Sequence, residues 1–94
     1  MGVTDFSKSV SALANSSATT SIKNYGLLFI YEYSRTGATG LFLVKGTTLT
    51  KIAADRYDVD NSATFNLSAN NGELTIQSTL SASSYHGYVF IGHN

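Results

Sequence analysis

The side chains that could perform chemistry are few and lie far apart in the sequence. Six carboxylates and two histidines, His86 and His93, stand among 13 serines. Hydrolysis by a serine nucleophile needs that serine to be held against a histidine that an acid orients. The Gly-x-Ser-x-Gly turn that presents such a serine in many hydrolases is absent from the sequence. The chain has no cysteine, which excludes a thiolate nucleophile and a disulfide framework. The sequence therefore predicts a protein that is not an enzyme, with no catalytic residue and no cofactor, and a hydrolase is the disfavoured alternative.

Two groups of residues could bind a metal ion. One is a polar stretch that offers oxygen ligands for Ca²⁺: Asp55, Asp58, Asp60 and Asn61. A calcium loop of the EF-hand type needs a central glycine and a glutamate at its twelfth position, and Arg56 interrupts the acidic run, so a solvated acidic loop is favoured. The other is His86 with His93, which odd spacing puts on opposite faces of one strand. Three copies of one histidine could meet on a three-fold axis, but the favoured prediction is no metal site.

Composition excludes two classes of partner. Six Lys+Arg balance six Asp+Glu, and charged residues are 13% of the chain, against roughly 25% in an ordinary soluble domain. Without a basic excess, we expect no binding to nucleic acid phosphates. The longest apolar run, at 26–31, is far shorter than the ~20 residues of a membrane-spanning helix, and residues 1–5 do not resemble the start of a signal peptide. We therefore expect no membrane insertion.

The elements that must position any site are predicted to be strands. Serine and threonine supply 24 residues and strong helix formers are scarce. Turn signals separate alternating segments that predict strands near 25–34, 40–45, 48–53, 63–68, 73–79 and 87–92. Asn71-Gly72 is the preferred pair for a type I′ hairpin turn. The pattern predicts an all-β fold of seven to eight short antiparallel strands, in a single domain over residues 1–94 that is either a sandwich or a barrel.

Residues 1–22 and 54–63 are less regular. The first segment favours extended structure because Ser and Thr dominate, and a short helix is the alternative because Phe6, Val10 and Leu13 fit helical spacing. The second is predicted to be a polar loop. The predicted core takes one parity of the clearest strands: Leu28, Ile30, Leu41, Leu43, Ile52, Phe65, Leu67, Leu74, Ile76, Val89 and Ile91. Residues 27–31 and 88–91 are apolar on both parities, so a subunit interface is expected to cover the surplus.

The order of these segments resembles a known kind of domain. The resemblance is carried by five segments: Asn24–Tyr31, Ala38–Val44, Leu49–Ala53, Ala63–Leu67 and Asn71–Ile76. Their succession is similar to the small terminal domains of tailed-bacteriophage fibre and receptor-binding proteins. The resemblance implies a compact antiparallel β-sandwich, jelly-roll-like and homotrimeric. It also implies a phage virion component that is exposed on the particle and attaches to a host-surface glycan or protein. The alternatives are a structural virion protein for capsid decoration or tail assembly, without an external ligand, and a bacterial carbohydrate-binding module, secreted or at the cell surface.

A ligand is expected to bind at loops carried by the sheets, because loops vary without disturbing a core. The predicted ligand-binding residues are Arg35, Arg56, Tyr57, Asp58, Asp60, Asn61, Tyr85 and His86. Tyrosine and arginine stack on a sugar face, and aspartate and asparagine hydrogen-bond hydroxyls. Tyr57→Ala and Arg56→Ala are then expected to weaken binding without changing the melting temperature. The alternative is that these segments are ordinary solvated connections and that the tyrosines pack in the core or at an interface.

Overall fold

The computed structural model describes residues 8–59 and 62–94. These residues form nine strands: β1 (Lys8–Ala12), β2 (Ser17–Ser21), β3 (Tyr25–Glu32), β4 (Thr39–Lys45), β5 (Thr48–Asp55), β6 (Tyr57–Asp58), β7 (Phe65–Ala69), β8 (Glu73–Ser78) and β9 (Ser84–His93). No helix in this part of the chain has the length and apolar content needed to cross a membrane. The six strands predicted from the sequence are all present.

Two packed sheets make the sandwich. Sheet A has the strand order β1-β9-β3-β4-β5 and sheet B the order β2-β8-β7-β6. The first two strands pair with the last two, one pair in each sheet, which is the jelly-roll-like feature of the fold. All pairs are antiparallel except that of β6 with β7, which is parallel. The predicted all-β sandwich is thus confirmed, with nine strands in the described residues where seven to eight were predicted.

The local conformations follow from the residues at the turns. Asn71 and Gly72 have φ angles of 45° and 101°, as a type I′ turn between β7 and β8 requires. Val10 lies in β1, so the helical alternative is wrong for residues 8–12, and Phe6 lies outside the described residues. The predicted loop at 54–63 is partly wrong. Arg56, with φ 67°, turns the chain out of β5 and into β6, so the same segment contributes to both sheets.

The core lies between the sheets. Its largest members from sheet A are Leu28, Ile30, Phe42, Val44, Tyr88 and Phe90, and those from sheet B are Tyr57, Phe65, Leu67, Leu74 and Ile76. The β3, β7 and β8 residues in this set were predicted correctly. For β4 and β9 the wrong parity was predicted. Leu41, Leu43, Val89 and Ile91 point outward, while their neighbours point inward.

Glycines on the inner face of sheet A explain which side chains of these strands point inward. Gly26 and Gly92 are paired on the inner face of sheet A, where the ring of Phe90 covers them. A Cβ atom at Gly92 would lie 2.6 Å from Cε2 of Phe90, so only glycine leaves room for that ring. Ile52 is exposed for a different reason. It is the extra residue where the register of β4 and β5 shifts between Leu41 and Phe42.

The stability of this core can be tested with two matched leucines. Leu74 is fully buried, whereas Leu13, between β1 and β2, is 65% exposed. We expect Leu74→Ala to lower the free energy of unfolding by about 2–5 kcal/mol, because it removes buried methyl groups and leaves a cavity. Leu13→Ala should change it by less than about 0.5 kcal/mol. Urea unfolding followed by circular dichroism measures both, and equal losses would contradict the core described above.

Candidate functional site

The two outer faces of the sandwich differ in chemistry. The outward positions of sheet B are polar: Ser17, Thr19, Ser21, Ser68, Glu73, Thr75 and Gln77. The outward aromatic and aliphatic side chains of β3, β4 and β9, with Tyr33 directly after β3, form what we call the aromatic face: Tyr25, Leu27, Phe29, Tyr31, Tyr33, Leu41, Leu43, Tyr85, Val89 and Ile91. Seven of these side chains expose between 37% and 59% of their surface. Contiguous apolar surface of this kind marks interaction sites on soluble proteins.

Cross-strand pairing arranges the aromatic face in rows. Leu27 stands between Leu43 and Ile91, and the next row has Phe29 between Leu41 and Val89. We call these six side chains the central rows. One end of the face has Tyr25 between Lys45 and His93. The other end has tyrosines and glycine, and is described next.

Three tyrosine rings cluster at that second end. The ring centroid of Tyr33 lies 6.1 Å from that of Tyr31 and 6.4 Å from that of Tyr85, with which it is stacked at 26°. The ring of Tyr31 lies against Gly87, where an added Cβ atom would come within 2.4 Å of it. A shallow groove runs beside these rings, lined by Lys8, Ser9, Tyr31, Tyr33 and Gly87. We call it the tyrosine groove.

A buried carboxylate fixes the turn that follows Tyr33. Glu32 is only 1% exposed, and its carboxylate accepts hydrogen bonds from the backbone N–H groups of Ser34 (2.7 Å), Arg35 (2.9 Å) and Thr36 (2.5 Å). The hydroxyls of Ser34 and Thr36 also donate to it. Burial raises the pKa of Glu32, but the hydrogen bonds from Ser34 and Thr36 outweigh that effect and lower it to about 2. The group is therefore ionised and fully satisfied by one turn.

A second buried network surrounds His86, which pairs with Glu32 across β3 and β9. The Tyr57 hydroxyl lies 2.6 Å from Nδ1 of His86, and Oγ of Ser84 lies 2.8 Å from Nε2. Burial lowers the pKa of His86 to about 4, against the opposing effect of the Glu32 charge. Burial, together with that charge, raises the pKa of Tyr57. The imidazole is therefore neutral at pH 7 and joins β6, in sheet B, to β9, in sheet A.

The Ser84–His86 pair has two members of a hydrolytic triad but not the arrangement that catalysis needs. Both side chains are fully buried. The second imidazole nitrogen bonds the hydroxyl of Tyr57, whereas an orienting carboxylate would hold the position in a triad. The Glu32 carboxylate instead accepts its hydrogen bonds from the turn at 34–36. The arrangement can hold two sheets together, and it gives a substrate no access to the serine.

The structure describes six of the eight predicted ligand residues and disperses them. Arg35 is exposed, and its Nε donates to the Ser83 carbonyl at 2.8 Å, which joins the β3–β4 turn to the segment before β9. Tyr85 is half-exposed on the aromatic face. Arg56 is exposed and pairs with Asp55 at 3.0 Å.

Asp58 lies in β6, the edge strand of sheet B. Its carboxylate lies 2.7 Å from Nζ of Lys51, and this hydrogen bond lowers the pKa of Asp58. Asp60 and Asn61 lie outside the described residues. No group of three or more His, Asp or Glu side chains that could bind a metal occurs in residues 8–59 and 62–94.

Tyr57 and His86 are fully buried, which contradicts their prediction as surface ligand residues. We therefore expect Tyr57→Ala to lower the melting temperature, contrary to the expectation from the sequence. Tyr57 packs on the ring of Phe65 and bonds His86, so its removal would leave both a cavity and an unpaired imidazole nitrogen. Tyr57 is buried because it lies in β6, the edge strand of sheet B, which places its side chain inside the sandwich.

Sequence reasoning missed Glu32, which orders the turn at 34–36, and Tyr33, whose ring lies between those of Tyr31 and Tyr85. A signal was present. Glu32 is followed by Ser34 and Thr36, two hydroxyl residues in a glycine-containing turn, which is a pattern suited to satisfying a carboxylate. Tyr85 is among the predicted ligand residues, but nothing local in the sequence puts it beside Tyr33. That neighbourhood depends on the pairing of β3 with β9.

Comparison with protein-family models, with curated proteins and with solved structures found no match to this chain. The resemblance to bacteriophage fibre domains therefore stays a prediction.

The buried imidazole predicts how stability depends on pH. In the unfolded chain the histidine takes up a proton near pH 6.5, but in the folded chain only near pH 4. The unfolded state binds more protons between these values, so stability falls as the pH falls through this window, by roughly 2 kcal/mol after allowance for screening. Urea unfolding at pH 7, 6, 5 and 4 should show this slope. His86→Gln should flatten it, whereas replacing the exposed His93 by Gln should not; an unchanged slope in His86→Gln would refute the assignment.

The Glu32 carboxylate predicts a second stability effect. Glu32→Gln places an amide NH₂ among five hydrogen-bond donors, so some of them lose their acceptor in a buried site. We expect a loss of more than about 2 kcal/mol at pH 7. The matched control is Glu73→Gln on the exposed face of β8, which should change stability by less than about 0.5 kcal/mol. Similar values for the two variants would show that the turn does not depend on the charge.

Proposed function

We propose that this chain is a non-enzymatic β-sandwich that assembles with copies of itself through the central rows of its aromatic face, as a structural component of a phage-type virion. The observation that carries the proposal is the chemistry of that face. Its central rows consist of six apolar side chains on three adjacent strands, in a protein with 13% charged residues. Leaving them in water forfeits the burial energy that drives association.

A second copy of the chain fits this face better than a charged partner does. The outward positions of the central rows are all apolar, so they offer no charge for a basic or acidic partner to match. The chain has zero net charge, so copies do not repel one another. The whole outer face of sheet A, five strands wide and eight residues long, measures roughly 600 Å² from standard strand dimensions. The central rows fill the middle of that face on three of its five strands, so the contact they offer is smaller than the roughly 800 Å² per partner of a standard interface.

The proposed stoichiometry is a trimer. Three sandwiches around a three-fold axis would turn the central rows of their aromatic faces toward the axis and their polar sheet B faces to solvent. This agrees with the β-sandwich architecture and with the homotrimeric state that the resemblance to fibre-tip domains implies. The buried Ser84–His86 pair, with Tyr57 in place of an orienting acid, supports a non-enzymatic role.

Oligomeric state tests the proposal directly. Sedimentation equilibrium should give about 30 kDa, three times the 10.0 kDa of one chain. Leu43→Glu, in a central row, should give a folded species of one-chain mass because it would bury an unpaired charge. Gln77→Glu adds the same charge to the polar face of sheet B and should leave the assembly intact. A wild-type mass of one chain would refute assembly, and a mass of two chains would keep the interface but refute the three-fold arrangement.

A further inference from the structure

We propose that the tyrosine groove is a binding site for a pyranose ring of an uncharged glycan, with Tyr33 as the stacking platform. The groove has a volume of about 350 Å³, at the lower end of the ~300–1,000 Å³ of small-molecule sites. It is shallow, so it suits one sugar unit of a longer chain that continues into solvent. The inference goes beyond the proposed assembly and does not depend on it.

The Tyr33 ring is exposed but held in place. It is 59% exposed, the most of any aromatic on this face. It contacts the rings of Tyr31 and Tyr85, and the backbone N–H of Tyr33 donates to the Tyr85 carbonyl at 3.1 Å. In turn, the backbone N–H of Tyr85 donates to Oγ of Ser34, which itself bonds the Glu32 carboxylate. A ring ordered before binding loses little conformational entropy when a ligand stacks on it.

The tyrosine groove lies beside Tyr33 and not between the stacked rings of Tyr33 and Tyr85. The 6.4 Å between the stacked Tyr33 and Tyr85 centroids leaves no room for a sugar between them. Tyr31 and Gly87 instead leave space beside Tyr33, because the Tyr31 ring lies flat where any other residue at 87 would place a Cβ atom. A pyranose C–H face could stack on Tyr33 there, over a floor of Tyr31 and Gly87.

The polar groups around the groove match hydroxyls. Ser9 on β1 lines it, and Ser9 and Ser11 line the adjoining recess beside Tyr33 and Tyr85. Serine hydroxyls both donate and accept, as sugar hydroxyls require of a partner. Lys8 is the one charged residue among the described residues that line either space, and none is acidic. A single lysine is too little to hold a phosphorylated or multiply acidic ligand, so an uncharged glycan is the occupant we infer.

Titration with defined sugars tests the site. The probes are hexasaccharides of α-1,4-linked and β-1,4-linked glucose and of β-1,4-linked N-acetylglucosamine, added at millimolar concentration to the ¹⁵N-labelled chain. At least one should shift the amide signals of Tyr33, Tyr85 and Gly87. Tyr33→Ala should weaken that binding about tenfold, which is roughly 1.4 kcal/mol. Tyr33→Phe keeps the stacking surface and should retain most of the affinity.

The control is Tyr25→Ala, which removes a half-exposed tyrosine from the same strand and face at the opposite end. It should bind as the wild type does. Ser9→Phe provides a second variant, because a ring at this exposed β1 position would occupy the groove without touching the core. The inference is overturned if no probe shifts these amides, if Tyr33→Ala binds normally, or if Tyr25→Ala loses as much affinity. Each variant should keep the wild-type mass, so a failed assembly and a failed site are distinguishable.

Discussion

The burial of the ionised Glu32 carboxylate at the end of β3 is the constraint on which the β3–β4 turn and its surroundings depend. An isolated charge in a protein interior costs several kcal/mol, and here one turn compensates that cost with three backbone and two hydroxyl donors. Any other conformation of the residues after β3 would expose the charge to solvent or leave it buried without hydrogen-bond donors. The turn then fixes its surroundings, because Ser34 also accepts from the backbone of Tyr85 and Arg35 donates to the Ser83 carbonyl.

The neighbouring imidazole is the complement of this arrangement. His86 stands opposite Glu32 in the β3–β9 register, a position in which a charged histidine would form an ion pair with the glutamate. Because the turn already saturates the carboxylate, the imidazole gains less from a charge than burial takes away. Ser84 and Tyr57 occupy its two nitrogens, which keeps it neutral and hydrogen-bonded at both. One buried charge and one buried neutral base thus lie side by side, and together they join the β3–β4 turn, β6 and β9.

The parts of the fold that depend on local chemistry could be predicted, and those that depend on pairing could not. The strands, and the hairpin at Asn71 and Gly72, follow from alternation and from turn residues that tolerate positive φ. Alternation says nothing where a strand is apolar at every position, so the inward parity of Phe42 and Phe90 was missed. The glycines that those rings cover determine the inward parity, but only the strand register shows which ring covers which glycine. Tyr57 was assigned to a loop for a similar reason, since a two-residue strand is too short for any periodicity.

The apolar side chains on the aromatic face and the buried polar cluster are connected through the small size of the interior. A 94-residue sandwich has little interior, and Glu32, Ser84 and His86 occupy part of it with polar groups. Apolar side chains that a larger core would bury stand on the aromatic face instead, where only association can bury them. The tyrosine end differs from the central rows because its rings rest on the turn that Glu32 orders and on Gly87, and because serines border it. The same sheet face therefore presents a uniformly apolar centre suited to a copy of itself and, beyond it, a rigid amphipathic end suited to a ligand with both C–H and O–H groups.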